Sequence, residues 1–170
     1  MRTLLLESLL KSPLTELARG DAALVELGSD LANRARGRLG RSLAIRELDA
    51  GSCNACELEI NALSNAYYDL ERFGLKFVAS PRHADVLLVT GPVTTNMRTA
   101  LQMTYEAMPG PKWVVTAGDC AKDGGCFKGS YAVVGGVSKI VPVDVHIPGC
   151  PPHPRILLEG LCTLLDRVQA

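Results

Sequence analysis

Five short runs dominated by aliphatic and β-branched residues, Leu43–Leu48, Leu75–Ala79, Asp85–Thr90, Lys112–Ala117 and Val141–Ile147, alternate with stretches of helical spacing. This alternation constrains the fold more than any other feature. Parallel strands need crossover connections, and crossovers put helices on the two faces of a sheet. The chain is therefore expected to be α/β, with a mostly parallel sheet flanked by helices. Candidate helices cover about 57–72, 94–108 and 154–168. The first carries Ile60, Leu63, Tyr67 and Leu70 at steps of three and four. The last carries Leu157, Leu161, Leu164 and Val168 at the same spacing, with Pro154 suited to a first helical turn.

Residues 1–41 read as an N-terminal helical arm ahead of a domain over 42–170. Leu6, Leu9 and Leu10 mark a short amphipathic helix ending near Pro13, and Asp21 is placed to cap a second with Leu24, Leu27 and Leu31 on one face. Arg34, Arg36, Arg38 and Arg41 follow. Two readings stand for them: a solvated basic stretch, or an arm that docks on a partner or an anionic membrane surface.

Eighteen basic residues balance eighteen acidic ones, so no overall field draws the chain to nucleic acid. No apolar run approaches the roughly 20 residues that cross a bilayer. Met1–Glu7 is too short and too charged for a secretory signal, which places the expected location in the cytoplasm. Thiols stay reduced there, so the six cysteines are better read as ligands or buried hydrophobes than as disulfides.

On this layout the cysteines fall into a pattern. Cys53 lies just past the first run, in Asp49-Ala-Gly-Ser-Cys-Asn-Ala-Cys-Glu. Cys120 and Cys150 each lie three residues past a run, in Ala117-Gly-Asp-Cys and Ile147-Pro-Gly-Cys-Pro-Pro. Loops that follow parallel strands emerge at one sheet edge, where open α/β sheets build their sites. Cys56 joins them, because two residues between cysteines let both thiolates reach one centre. A structural zinc ribbon would show two Cys-x-x-Cys knuckles, and only one is present. One pair plus two distant single cysteines beside glycine or proline favours an iron–sulfur cluster held by four thiolates, with zinc and unliganded cysteines as the alternatives. Gly51, Gly118 and Gly149 would let backbone amides approach such a cluster. Asn54 is expected to cap the following helix, with Glu57 in the capping-box position, pointing a positive helix end at the anionic group. Cys162 sits within an amphipathic helix and reads as core. Cys126 shares a glycine-rich loop with Cys120 and reads as a non-ligand. That loop, Gly124-Gly-Cys-Phe-Lys-Gly-Ser, is not a phosphate-binding loop.

Gly51-Ser-Cys-Asn-Ala-Cys-Glu-Leu-Glu-Ile, Ser80-Pro-Arg-His-Ala-Asp-Val-Leu-Leu-Val-Thr-Gly, Pro111-Lys-Trp-Val-Val, Gly118-Asp-Cys and Val141-Pro-Val-Asp-Val-His-Ile-Pro-Gly-Cys-Pro-Pro-His-Pro resemble one superfamily. It joins the 20 kDa (B-type) subunit of respiratory complex I with the small subunits of energy-converting, membrane-bound [NiFe] hydrogenases of the formate hydrogenlyase type. The likeness runs from about 44 to 168. It implies a flavodoxin-like fold, one [4Fe–4S] cluster on Cys53, Cys56, Cys120 and Cys150, and no active site within the chain itself. It also implies partners: a large catalytic subunit (NiFe hydrogenase or complex I 49 kDa-like), a ferredoxin-like iron–sulfur subunit and membrane subunits, the whole lying on the cytoplasmic face of the inner membrane.

Complex I subunits of this kind carry two adjacent cysteines, whereas the Cys53–Cys56 spacing resembles that of hydrogenases. Six cysteines cannot hold three clusters that each need four thiolates, which excludes the periplasm-facing uptake branch by counting. The resemblance thus implies an electron-relay subunit of a cytoplasm-facing hydrogenase. The alternatives are a complex I-type subunit passing electrons to a quinone, or a nickel-free relative. Asp119 and Lys122-Asp123 stand where the family has small residues. Arg82 matches an arginine expected to raise the cluster's potential, and Glu59 matches an acidic position expected to relay protons. His146 and His153 flank Cys150 and read as structural.

Overall fold

A computed structural model describes residues 21–167. Helix α1 spans Ala22–Leu39, capped by Asp21, whose side chain accepts the Ala23 N–H, and closed by Gly40 in the left-handed region. Strand β1 (Leu43–Asp49), helix α2 (Ala55–Ala62), strands β2 (Leu75–Phe77), β3 (Val86–Thr90) and β4 (Val93–Thr94) and helix α3 (Arg98–Ala107) follow. Strand β5 (Trp113–Ala117), helix α4 (Asp119–Asp123), strands β6 (Val133–Gly135) and β7 (Val145–Ile147) and helix α5 (Pro154–Arg167) complete the order.

The main sheet runs β2-β1-β3-β5-β7 with every pairing parallel. Among the strands of that sheet this is the order 2-1-3-4-5 of a flavodoxin-like fold, and the expected α/β architecture is present. β3 sits at its centre with all five residues buried. Alternate side chains serve two cores, as the pleat requires. Val86 and Leu88 join α1, α2 and α5 on one face, in company with Leu31, Ile60, Leu157 and Leu161. Leu87 and Val89 join Leu101 of α3 and Ala121 of α4 on the other.

α1 belongs to the first of these cores, where it buries Leu24, Leu31, Ala32 and Ala35. A Cβ at Gly28 would meet the Phe73 ring at 2.5 Å, so this helix lies close over the Leu70–Phe73 turn. Arg34 bridges Asp30 of its own helix and Asp166 of α5, and Arg41 pairs with the buried Asp85. These two arginines are therefore engaged within the fold. The segment around Leu6, Leu9 and Leu10 lies outside the described residues.

Three element boundaries differ from expectation by more than three residues, each for a local reason. The helix expected over 57–72 ends at Ala62. Asn65 stops it, because its Oδ1 accepts the N–H groups of Tyr67 and Tyr68 and so offers the backbone a turn in place of helix. A short 3-10 turn at Leu70–Phe73 follows, which keeps Leu70 in the core. The strand expected from Val141 pairs only over Val145–Ile147. Pro142 has no N–H for the ladder. Just ahead of the strand, Asp144 donates its N–H to Val114 O and accepts Val114 N–H on Oδ2. The helix expected from residue 94 starts at Arg98, since Val93–Thr94 pairs antiparallel with β6 in a small ribbon.

Candidate metal centre

Three loops at the carboxyl edge of the sheet carry the cysteine pattern. The loop after β1 is wound by Asp49, whose Oδ1 accepts the N–H groups of Gly51 (2.7 Å) and Ser52 (2.6 Å). It is pressed on the loop after β3, because a Cβ at Gly91 would meet the Ser52 nitrogen at 2.5 Å. Cys53 is exposed at its tip, and Cys56 is buried in the first turn of α2. β5 leads through Gly118 (φ +89°) into α4, whose second residue is Cys120. β7 leads through Gly149 to Cys150.

Asp119 ties the last two loops together. Its N–H donates to Gly149 O (2.9 Å), and its Oδ1 accepts the Gly149 N–H (3.0 Å). A small residue there would supply only the first of these bonds. Cys53, Cys56, Cys120 and Cys150 consequently line one recess, closed by Ser52, Ala55, Gly91, Asp119, Gly149 and Pro151.

The electrostatics of the recess favour a cationic occupant. Burial first, then the charge of Glu57 and then those of Cys53, Cys120 and Cys150, push the Cys56 thiol up to about 12. The Cys120 thiol is also raised, by burial, then by Cys126 and Cys150. Thiols gathered this tightly resist joint ionisation until a metal group supplies positive charge. The backbone fits such a group as well: a Cβ at Gly118 would stand 2.7 Å from Cys56 Sγ. Among the described residues, no three His, Cys, Asp or Glu side chains close around a single ion. The recess nonetheless gathers the four thiols that an iron–sulfur cluster would take as ligands, one sulfur to each iron.

The capping expectation is corrected. Asn54 adopts φ +72° and its side chain makes no cap bond. Its N–H donates instead to Ser52 Oγ (3.0 Å), which holds the turn between Cys53 and Cys56. Glu57 does not reach back to a capping position: both its carboxyl oxygens are buried with no hydrogen-bond partner. It faces Cys56 and Glu47, and Glu47 is raised by burial first and by Glu57 next. Sequence reasoning passes over this carboxyl pair. The available signal is the position of Glu57 directly after a ligand-type cysteine on a helix with a buried face.

Arg82 does not line the recess. It lies in the 3-10 turn Pro81–His83 that precedes β3, and so at the amino edge of the sheet, opposite the recess. Five strand residues at about 3.3 Å each separate the two edges. Glu59 lies on α2 one turn beyond Cys56 and does not line the recess; its charge acts on Tyr68, whose hydroxyl is raised by burial first and by Tyr67 and Glu59 next. His146 Nδ1 lies 3.0 Å from Thr116 Oγ1 on the adjacent strand, and burial holds its pKa below the ordinary value. His153 Nδ1 accepts the Arg155 N–H at the start of α5. Cys162 is packed in the core, where burial pushes it up to about 11.

The comparisons agree with the geometry. Residues 53–164 match the family model of the NADH ubiquinone oxidoreductase 20 Kd subunit. The chain is 48% identical over 132 residues to formate hydrogenlyase subunit 7 of Escherichia coli (strain K12), covering 78% of this chain and 52% of that one. It thus spans about half the length of that relative. It is 45% identical over 130 residues to the probable membrane-bound hydrogenase subunit mbhJ of Pyrococcus furiosus, covering 76% and 78%. Among solved structures, a chain of the membrane-bound sulfane sulfur reductase, an archaeal respiratory membrane complex, aligns with a TM-score of 0.67. That chain is 37% identical, and the alignment covers 82% of this chain and 75% of it. The family model begins at Cys53 and ends at Leu164 within α5, so it takes in all four cysteines of the recess and the sheet that carries them: the chain belongs to the NADH ubiquinone oxidoreductase 20 Kd subunit family.

Proposed function

We propose that this chain holds one [4Fe–4S] cluster through Cys53, Cys56, Cys120 and Cys150. In this reading it relays electrons between a ferredoxin-like iron–sulfur subunit and a [NiFe] large subunit. The complex would be a membrane-associated hydrogenase on the cytoplasmic face, with this chain peripheral to its membrane subunits. One observation carries the reading: four cysteines delivered by three separate strand-end loops line a single recess. The formate hydrogenlyase and membrane-bound hydrogenase relatives, at 48% and 45% identity, support the destination of the electrons. Among the described residues no helix is long and apolar enough to cross a membrane, consistent with a peripheral place.

When bound, the cluster supplies one-electron chemistry. The chain itself positions and insulates it. Ala55 and Pro151 narrow the recess, and the buried Cys56 anchors its floor. Cys53 and Cys150 are exposed, and through them the recess meets a partner surface. Glu57, with its unpartnered oxygens beside Cys56, disfavours the extra negative charge of a reduced cluster. Glu57→Gln is therefore expected to raise the cluster's midpoint potential with iron content unchanged. Redox titration followed by electron paramagnetic resonance reads the shift, and a fall or no change would remove Glu57 from that role.

The defining test is the content of iron, nickel and zinc in the complex, purified without oxygen through a tag on this chain. The expectation is about four irons from this subunit, with stoichiometric nickel from the large subunit. Cys150→Ser should lose most of this subunit's share and its absorbance near ~400 nm. Zinc in place of iron would sink the cluster assignment. A second reading is the same relay feeding a nickel-free large subunit, and the likeness to a chain of a sulfane sulfur reductase complex keeps it in play. Iron without nickel would favour it.

A further inference from the structure

Cys126 is left unused by the four-cysteine recess, yet it does not stand alone. α4 ends at Asp123, and Gly124 (φ +103°) and Gly125 (φ +52°) then reverse the chain through the left-handed region. The reversal returns Cys126 to Cys120. It sets Cys126 near enough for its charge to act on the Cys120 thiol, which burial first and Cys126 next push up. A Cβ at Gly125 would stand 2.7 Å from Cys120 Sγ and 3.1 Å from its Cα, so only glycine permits this approach. Cys126 is exposed and lies outside the recess, whereas Cys120 is half-buried and lines it. The Cys120 sulfur therefore lies between the recess and the glycine turn that carries the exposed Cys126.

We propose that Cys120 and Cys126 close into a disulfide when the recess is empty and hydrogen peroxide reaches it, a modification whose consequence for metal uptake rests on Cys120 being a cluster ligand. The exposed Cys126 sulfur attacks one peroxide oxygen and the O–O bond breaks. This gives a sulfenic acid on Cys126 and, with a proton, one water. The Cys120 sulfur then displaces the sulfenic oxygen, which leaves as the second water. In sum two thiols and one hydrogen peroxide give one disulfide and two waters, and two electrons pass from sulfur to peroxide. Exchange with a dithiol reductant restores both thiols. Without Cys126, a Cys120 sulfenic acid is open to further oxidation to the sulfinic and sulfonic acids, which ordinary reductants do not reverse. The pair thus keeps a ligand recoverable.

The full chain, stripped of iron and treated with hydrogen peroxide, tests this directly. Trypsin cuts after Lys112, Lys122 and Lys128, so Cys120 and Cys126 fall on the separate peptides Trp113–Lys122 and Asp123–Lys128. Mass spectrometry is expected to find these two joined, and dithiothreitol to part them. After reduction, iron and sulfide should return the wild-type chain to the iron content of an untreated sample. Cys126→Ser should match wild type before peroxide and regain less than about half after it. Cys120 joined to Cys53, Cys56 or Cys150, or left unjoined, overturns the proposal, as does full recovery of Cys126→Ser. If the joined peptides form but the untreated chain takes up no iron, the thiol pair stands and the cluster reading fails. Iron uptake without the joined peptides has the opposite meaning.

Discussion

Gly118→Ala is expected to empty the recess and to destabilise the fold by about 3 kcal/mol. Gly118 links β5 to α4 at φ +89° and ψ 152°, a conformation essentially closed to residues with a side chain. Holding alanine there costs on the order of 1–3 kcal/mol by itself. The new methyl would also stand 2.7 Å from Cys56 Sγ and 3.4 Å from the Gly149 carbonyl oxygen. Cys56 is buried against the core at the base of α2 and has little room to retreat. Either its sulfur turns away from the recess or the Cys120 loop lifts from it, and each outcome removes one of the four cysteines proposed as ligands. Iron per reconstituted chain should fall from about four to below about one. The melting temperature should fall by roughly 9 °C, at about 3 °C per kcal/mol for a chain of this size. A variant that melts lower but keeps its iron would show that the recess tolerates displacement of Cys56, and would count against Cys56 as a ligand.

The physics that makes Gly118 critical also explains how much of the site is legible in the sequence. β3 and β5 can be read because each is a run of buried residues with no competing period, and each runs directly into the loop that builds the edge. Given a parallel sheet, strand-end loops must emerge together, so the convergence of Cys53, Cys120 and Cys150 follows from topology without side-chain detail. The same logic places Arg82. It precedes a strand, and residues that precede parallel strands gather at the amino edge.

The expectations that the structure corrects share a cause. The helix expected to reach residue 72 keeps its apolar spacing through Tyr67 and Leu70, but spacing cannot register one side chain capturing two N–H groups, as Asn65 does. Asn54 reads as a cap from residue type, whereas its backbone follows the needs of the two flanking cysteines. Glu57 looks like half of a capping box and is instead a buried carboxyl beside Glu47. In each case a polar side chain has two local uses, and only the packing around it decides between them. The β4–β6 ribbon escapes the sequence for want of length: strands of two and three residues carry no period.

That ribbon bears on the cysteine recess. Gly136→Ala is expected to loosen Cys120 from a distance, although Gly136 lies 16 residues along the chain from it. Gly136 follows β6 with φ -76° and ψ 158°, angles open to any residue, so alanine brings no backbone strain. The obstacle is purely steric. A Cβ would stand 1.9 Å from the Lys122 carbonyl oxygen, 2.5 Å from its carbon and 3.0 Å from the Asp123 nitrogen. These are backbone atoms of α4, so no rotamer change relieves the clash and the helix must move. α4 carries Cys120, and Ala121 beside it is buried in the second core with Val137. Displacing α4 therefore opens that core and draws Cys120 from the recess together. Overpacking of this kind costs about 2–3 kcal/mol, and iron in the reconstituted chain should become labile to a chelator. Gly37→Ala is the matched control: nothing lies within 4 Å of its Cβ, and it sits inside α1, where alanine should stabilise by up to about 1 kcal/mol. If both variants lose iron at the wild-type rate, α4 does not hold Cys120 in place and the ribbon is only a surface feature. If Gly136→Ala alone loses it faster, the short ribbon that the sequence conceals is what keeps Cys120 against the other three cysteines of the recess.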